Sequence, residues 1–415
     1  MKYAYILVRL FAPLINLFTL FVNCFIWRDK RVMLFGAWMG DKFTDNPRFL
    51  FQYLNDHKEE YDIKKLVWVT RNENVYKKLK LEGYDVYMMH SFKSFYYHFR
   101  AGVHFICNIE FPKKGYAGDI MGQLSGHAIK INLFHGVGIK AGKSTGAINI
   151  QRGLTGKLRY VLRNSKLFCA VFTPGHWNRA YILSTSEECT KRDSIFCGVN
   201  EKWFIEAGYP RDCKAIKLFP DEQQVVERIR KARVSILYVP TFRDNGEVPH
   251  PLSEECLRKY IVTHGYLWIE KPHPASVKSV KVSGIDDKVL YLDNSFDISV
   301  VLPEIDILIS DYSSVTYDAM AFNKPVLYYA PDYQHYLINE RGFLCDYKKL
   351  VDGFEAVNVQ ELVHKLDLAI NDAEFKQALK RKLNYERVFV LTYNKENIGD
   401  IVAAFRERLG IFQMI

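Results

Sequence analysis

No C-x-x-C pair occurs in the 415 residues, and the eight cysteines, at 24, 107, 169, 189, 197, 213, 256 and 345, follow no short regular spacing. That pattern argues against a zinc site or a disulfide framework. Several cysteines sit inside apolar runs, such as Phe105–Cys107 and Leu167–Ala170, where they read as small buried hydrophobes of a reducing compartment. There is no G-x-x-x-x-G-K-[ST] loop, no G-x-G-x-x-G fingerprint and no Asp-x-Asp behind a strand, so ATPase, dehydrogenase and metal-dependent sugar-transfer readings lose their usual support. Internal repeats and low-complexity tracts are also missing. What is present is a globular composition, 48% hydrophobic and 14% aromatic, on a chain long enough for two domains. An excess of 57 Lys and Arg over 47 Asp and Glu gives a net charge of +10, which suits an anionic partner.

The first 29 residues stand apart. Tyr3 to Trp27 is almost continuously apolar and is closed by Arg28, Lys30 and Arg31. The length permits a spanning helix of about 20 residues, but Arg9, Pro13, Asn16 and Asn23 penalise the bilayer centre. The run is too long for the h-region of a signal peptide. The favoured expectation is therefore an interfacial anchor, a membrane-associating helix whose basic cluster meets anionic headgroups on the cytoplasmic side. A spanning segment and a helix packed on the protein's own core remain open.

Beyond it, short β-branched and aromatic runs alternate with helical patterns. Val32–Trp38, Leu66–Thr70, His104–Ile109, Ile131–Phe134 and Phe168–Thr173 read as one set of strands, with helices at Pro47–Asp56, capped by Asn46, and at Phe92–Arg100. Ser235–Thr241, Tyr266–Lys271, Val289–Leu292, Asp306–Ser310 and Pro325–Tyr329 read as a second set. The alternation predicts two α/β, Rossmann-like parallel-sheet domains, over residues 30–215 and 216–395. The polar stretch Gly208–Glu227 is the expected linker, and the C-terminal helix, residues 396–415, is expected to cross back to the first domain.

The strongest constellation is Asp306 to Met320, a buried strand followed by Ser313 and Ser314 at a helix start, where unpaired N–H groups favour phosphate; either serine also suits a plain N-cap. His135 and His273 lie at strand ends, where a ligand can approach and a proton can be exchanged near neutrality. Lys140, Arg211, Arg243 and Lys271 lie near these ends and are able to neutralise a diphosphate.

The set Asp41-Lys-Phe-Thr-Asp-Asn-Pro, His135-Gly136 with Lys140, Gly208-Tyr-Pro-Arg-Asp, Pro240-Thr-Phe-Arg-Asp, Pro272-His-Pro and Ser310-Asp-Tyr-Ser-Ser with Asn323-Lys-Pro resembles the CDP-glycerol glycerophosphotransferase family. The resemblance spans about residues 30 to 400. It implies a GT-B architecture with the two domains facing a central cleft, and peripheral attachment to the cytoplasmic face of the membrane. It also implies transfer of a polyol phosphate, glycerol phosphate first, from a CDP-polyol such as CDP-glycerol to a hydroxyl of a lipid-linked or glycan acceptor. No cofactor, metal or nucleic acid is implied. By resemblance His135 and His273 are the catalytic residues, His135 as the general base and His273 on the diphosphate, and Arg211, Arg243, Lys271, Asp311, Ser313, Ser314 and Asp318 serve the donor. Asp41, Asn46, Gly136 and Lys140 serve the acceptor or its loop. A sugar transferase or epimerase using a uridine donor would share the fold, and a non-catalytic membrane or nucleic-acid binder would share the charge.

Overall fold

In the computed structural model the described residues are 13–14, 17–108, 118–140, 154, 158, 161–162, 165, 180–197, 199–213, 216–243, 248–271, 285, 287–340, 342–393 and 396–413. They form two compact units. One comprises Met1–His135, Thr145–Ile216 and Tyr393–Ile415, the other Gly136–Ser144 and Lys217–Thr392.

The first unit is built on a parallel sheet of seven strands: β1 (Asp29–Phe35), β2 (Lys65–Thr70), β3 (Val86–Met88), β4 (Ala101–Ile106), β5 (Ile129–Asn132), β6 (Tyr181–Ser184) and β7 (Phe204–Glu206). Their spatial order is β3-β2-β1-β4-β5-β6-β7. Each central strand reads as a continuous apolar run because both of its faces are covered. Phe35 of β1 stacks on Phe105 of β4 at 4.5 Å, and Phe105 in turn meets Phe405 and Phe412. These aromatic contacts dock the C-terminal helix Ile398–Leu409 and the residues after it onto the first sheet.

The second unit carries six parallel strands: β8 (Ser235–Val239), β9 (Leu267–Glu270), β10 (Val289–Tyr291), β11 (Ile307–Ser310), β12 (Val326–Tyr329) and β13 (Glu355–Ala356). Their order is β10-β9-β8-β11-β12-β13. In each sheet the strand order reverses once, at β1/β4 and at β8/β11. The crevice outside the carboxyl ends of the strands at such a point is where parallel-sheet proteins bind ligands.

The expected strand Phe168–Thr173 lies outside the described residues, whereas β3, β6, β7 and β13 were not expected; each has only two to four residues. The helix expected from Pro47 begins at Asp45, with Thr44 as its N-cap. Asn46 does not cap it, because its side chain is used elsewhere.

Two features of the N-terminal segment bear on its expected role. Among the described residues no helix is long and apolar enough to cross a membrane. Residues 17–23 are helical, and their polarity is inverted. Thr19 and Asn23 are buried, while Leu17, Phe18 and Phe21, with Phe25 and Trp27 beyond, face outward. Arg28, expected to meet headgroups, is turned inward. It donates to the carbonyls of His98, Ala101 and Leu124 and to Asn23 Oδ1, all at 2.7–2.8 Å. Burial lowers its pKa to about 10, so the guanidinium closes the C-terminus of helix Phe92–Arg100 and is withheld from any lipid.

Candidate active site

At the carboxyl ends of β1 and β4 a buried polar cluster ends at His135. Asn46 is fully buried, and its Nδ2 donates to the carbonyls of Leu133 at 3.0 Å and Phe134 at 3.1 Å. Its Oδ1 accepts the Arg211 N–H at 3.1 Å. Asp45 Oδ1 takes Arg211 Nη1 at 2.7 Å, and Asp45 Oδ2 takes the Trp38 indole N–H at 3.1 Å. One helix start thus holds the two residues before His135. Gly136, after it, has φ +145°, which favours glycine.

The imidazole is half-buried. Its Nδ1 lies 3.1 Å from the Cys107 carbonyl, and the ring packs against Trp38 at 5.8 Å and 62°. A carbonyl oxygen can only accept, so Nδ1 carries the proton and Nε2 is left as the basic nitrogen of the neutral ring.

The ends of β8 and β11 carry a second cluster. Asp311 is buried and accepts the backbone N–H of Thr241 at 2.9 Å and of Tyr312 at 2.6 Å. Arg243, 1% exposed, donates Nη2 to Asp311 at 2.8 Å, Nε to Asp332 at 2.6 Å and Nη1 to the Thr241 carbonyl at 2.7 Å. Its guanidinium lies 4.9 Å from the Tyr312 ring and 5.0 Å from the Tyr336 ring, within cation–π range. Burial opposes its charge, but the hydrogen bonds and field of Asp332 and Asp311 prevail and raise its pKa. Burial likewise pushes Asp332 up, and the Arg243 hydrogen bonds overcome it, leaving that carboxyl below its ordinary range. A recess of about 380 Å³ lined by His250, Ser253, Glu254, Tyr329 and Asp332 opens beside this network.

Ser313 and Ser314 are half-buried at the start of helix Val315–Ala321, where Ser314 occupies the N-cap position without a side-chain capping bond. Asp318 is buried one turn further on. Lys271 is buried and donates to the Asp293 carbonyl at 3.2 Å. Lys140 joins Phe343 in an antiparallel bridge within the second unit. His273 lies outside the described residues.

Arg211 and Arg243, expected to serve the donor, each pair with carboxylates of their own unit. The exposed Asp41 side chain has no part in the first cluster; its carbonyl accepts from Asn72 at 3.0 Å, and the acid that joins the cluster is Asp45. Asp332 and Asp119 carry no signal in the sequence, whereas Asp45 stands within the Asp-Asn-Pro string. Among the described residues no group of three or more His, Cys, Asp or Glu is placed to hold a metal ion.

Residues 17–403 match the model of the family CDP-glycerol:poly(glycerophosphate) glycerophosphotransferase. The chain belongs to this family. It is a CDP-glycerol-type glycerophosphotransferase, and the uridine-sugar alternative is not favoured. Among its relatives, a teichoic acid poly(glycerol phosphate) polymerase of Bacillus spizizenii is 25% identical over 88% of this chain and 90% of its own length. A teichoic acid glycerol-phosphate transferase of Staphylococcus aureus is 23% identical over 81% and 84%. The solved structure of the wall teichoic acid polymerase TagF superposes with a TM-score of 0.69 at 17% identity, covering 95% of this chain and 93% of that one. This glycerophosphotransferase therefore shares TagF's GT-B-like α/β fold of two parallel-sheet domains.

Proposed function

We propose that the protein transfers glycerol phosphate from CDP-glycerol to a hydroxyl of a lipid-linked or glycan acceptor in teichoic-acid-like or capsular polymer synthesis. The acceptor oxygen attacks the phosphorus that bears the glycerol, the bond from that phosphorus to the bridging oxygen breaks, and CMP leaves. His135 Nε2 takes the acceptor proton. The observation that carries this role is the Nδ1 contact with the Cys107 carbonyl, which fixes the tautomer that a base requires.

Phosphoryl transfer asks the protein mainly for alignment and charge stabilisation. On the donor side, Lys271, His273 and the N–H groups near Ser313 and Ser314 meet the diphosphate. Asp318 lies near the nucleotide, and Lys140 with Gly136 shapes the acceptor loop. Arg243 and Asp311 hold the loops after β8 and β11 in register. This reading assigns charge neutralisation to protein donors, with no resident cofactor. The outward apolar side chains of residues 17–27, next to exposed Lys30, support peripheral attachment at the cytoplasmic face of a membrane.

The test is a donor panel read by nucleotide release from the purified protein with a hydroxyl acceptor. CDP-glycerol should release CMP fastest, CDP-ribitol more slowly, and UDP-sugars should release no UDP. Turnover of a UDP-sugar, or CMP release from no CDP donor, would overturn the reading.

A further inference from the structure

Asp119 is buried, and among the described residues it has no ion-pair partner. Its Oδ1 accepts the Met39 N–H at 2.7 Å, and its Oδ2 accepts the N–H groups of Cys107 at 2.8 Å and Asn108 at 2.7 Å. The carboxylate therefore sits over the carboxyl ends of β1 and β4, the switch point of the first sheet. Its backbone reaches there because residue 36 is glycine: a Cβ on Gly36 would fall 2.0 Å from the Asp119 carbonyl oxygen. Met39, whose N–H it holds, stands at φ +60° beside Trp38 at φ +47°. Two consecutive non-glycine residues in that region are strained, and this turn carries the indole that packs on His135.

The Asn108 N–H and the Cys107 C=O belong to one peptide unit. Its N–H points at Asp119 and its oxygen receives the proton on His135 Nδ1. Hydrogen bonds in such a chain polarise one another: a carboxylate drawing on the N–H makes the carbonyl a better acceptor, which stabilises charge on the imidazole.

We propose that Asp119 is a positioning residue for His135, acting through the Cys107–Asn108 peptide as the orienting acid of a peptide-bridged carboxylate–histidine pair. This rests on the reading of His135 as the base. Among the described residues, the ionisable groups around the pair are the Cys107 thiol, the Asp45–Arg211 ion pair and Lys42, whose ammonium lies 5.5 Å from the Trp38 ring. Burial, then Asp119 and Asp45, push the thiol well up, so it stays neutral. Burial also raises Asp119 to about 6 against the pull of its three N–H donors, so the carboxylate is charged at neutral pH and support for His135 fades below about pH 6.

Asp119→Asn keeps the shape but replaces one acceptor oxygen with an amide. The expected result is a kcat loss of about 10–100-fold, the range for lost outer-sphere partners, with donor KM unchanged. The acid limb of the kcat/KM profile should move to lower pH. An unmoved acid limb and normal kcat in a folded Asp119→Asn protein would overturn the proposal.

A second measurement needs no variant. In ¹⁵N-histidine-labelled wild-type protein, with the His135 resonance assigned by its loss in His135→Ala, the neutral ring should be protonated on Nδ1. The Nε2–H tautomer would overturn the proposal even if Asp119→Asn fails to fold. Failure of the base reading shows separately, as a His135→Ala protein that keeps more than half the wild-type rate.

Discussion

Replacing Arg243 by methionine removes a charge that two carboxylates share and leaves the stem volume nearly intact. Asp311 is 2% exposed and Asp332 about a quarter exposed at the side chain, so neither can rehydrate fully once the guanidinium is gone. Removing one partner of a buried ion pair costs about 3–5 kcal/mol, because the remaining charge is left uncompensated. For a unit of this size that corresponds to a Tm drop of roughly 6–20 °C.

The pH dependence has a definite sign. In the wild type the Asp332 pKa is depressed, so its contribution is present above the ordinary carboxyl range and is lost as pH falls through its folded value. Without Arg243, burial of Asp332 is opposed only by the Tyr312 hydroxyl and a backbone N–H, so the Asp332 pKa rises from its depressed value. The cost of the uncompensated charge grows as pH rises out of the ordinary carboxyl range and fades toward pH 4. Calorimetry of wild type and Arg243→Met at pH 7.5 and 4.5, with hydrogen exchange of β8 and β11 locating the transition, should show a large gap that narrows in acid. A variant as stable as wild type at pH 7.5, with donor affinity lost, would refute the strut and make Arg243 a direct diphosphate ligand.

Three further outcomes are expected. His135→Ala should bind donor almost normally yet lose about 10²–10⁴-fold in turnover, measured by CMP release against donor affinity from calorimetric titration. Phe18→Ser with Phe21→Ser should leave thermal stability unchanged, since both rings already face outward, but weaken sedimentation with anionic vesicles; unchanged sedimentation would count against an interfacial anchor. Glu270, buried at the end of β9, is raised by desolvation to about 7, so stability falls as pH rises from the ordinary carboxyl range to about 7 and stays reduced above it. Glu270→Gln should therefore stabilise at pH 8, on the order of 2 kcal/mol, and should lose that advantage below about pH 4.5; equal effects at both pH values would contradict the assignment.

The α/β fold was legible because doubly covered parallel strands such as Ile307–Ser310 are short apolar runs between turn signals. β13, with two residues, and β7, with three, are too short to show a period. His135 was visible because a histidine followed by glycine closes a strand. The carboxylate partners were not: Asp45 and Arg211 are 166 positions apart, and Arg243 is 68 and 89 positions from Asp311 and Asp332. A lone arginine in a sequence cannot reveal whether it faces a ligand or a buried acid, and here the crossovers of the two sheets supply the acids. Arg28 shows the same ambiguity at shorter range, since three carbonyls and the Asn23 side chain claim a charge that composition assigns to lipid.

The most direct test of the transfer reaction is the mass and ³¹P spectrum of the product formed from CDP-glycerol and a hydroxyl acceptor. One phosphodiester-linked glycerol phosphate on the acceptor for every CMP released, abolished in His135→Ala, is the predicted result. CMP released without any glycerol phosphate on the acceptor, or a product carrying cytidine, would contradict it.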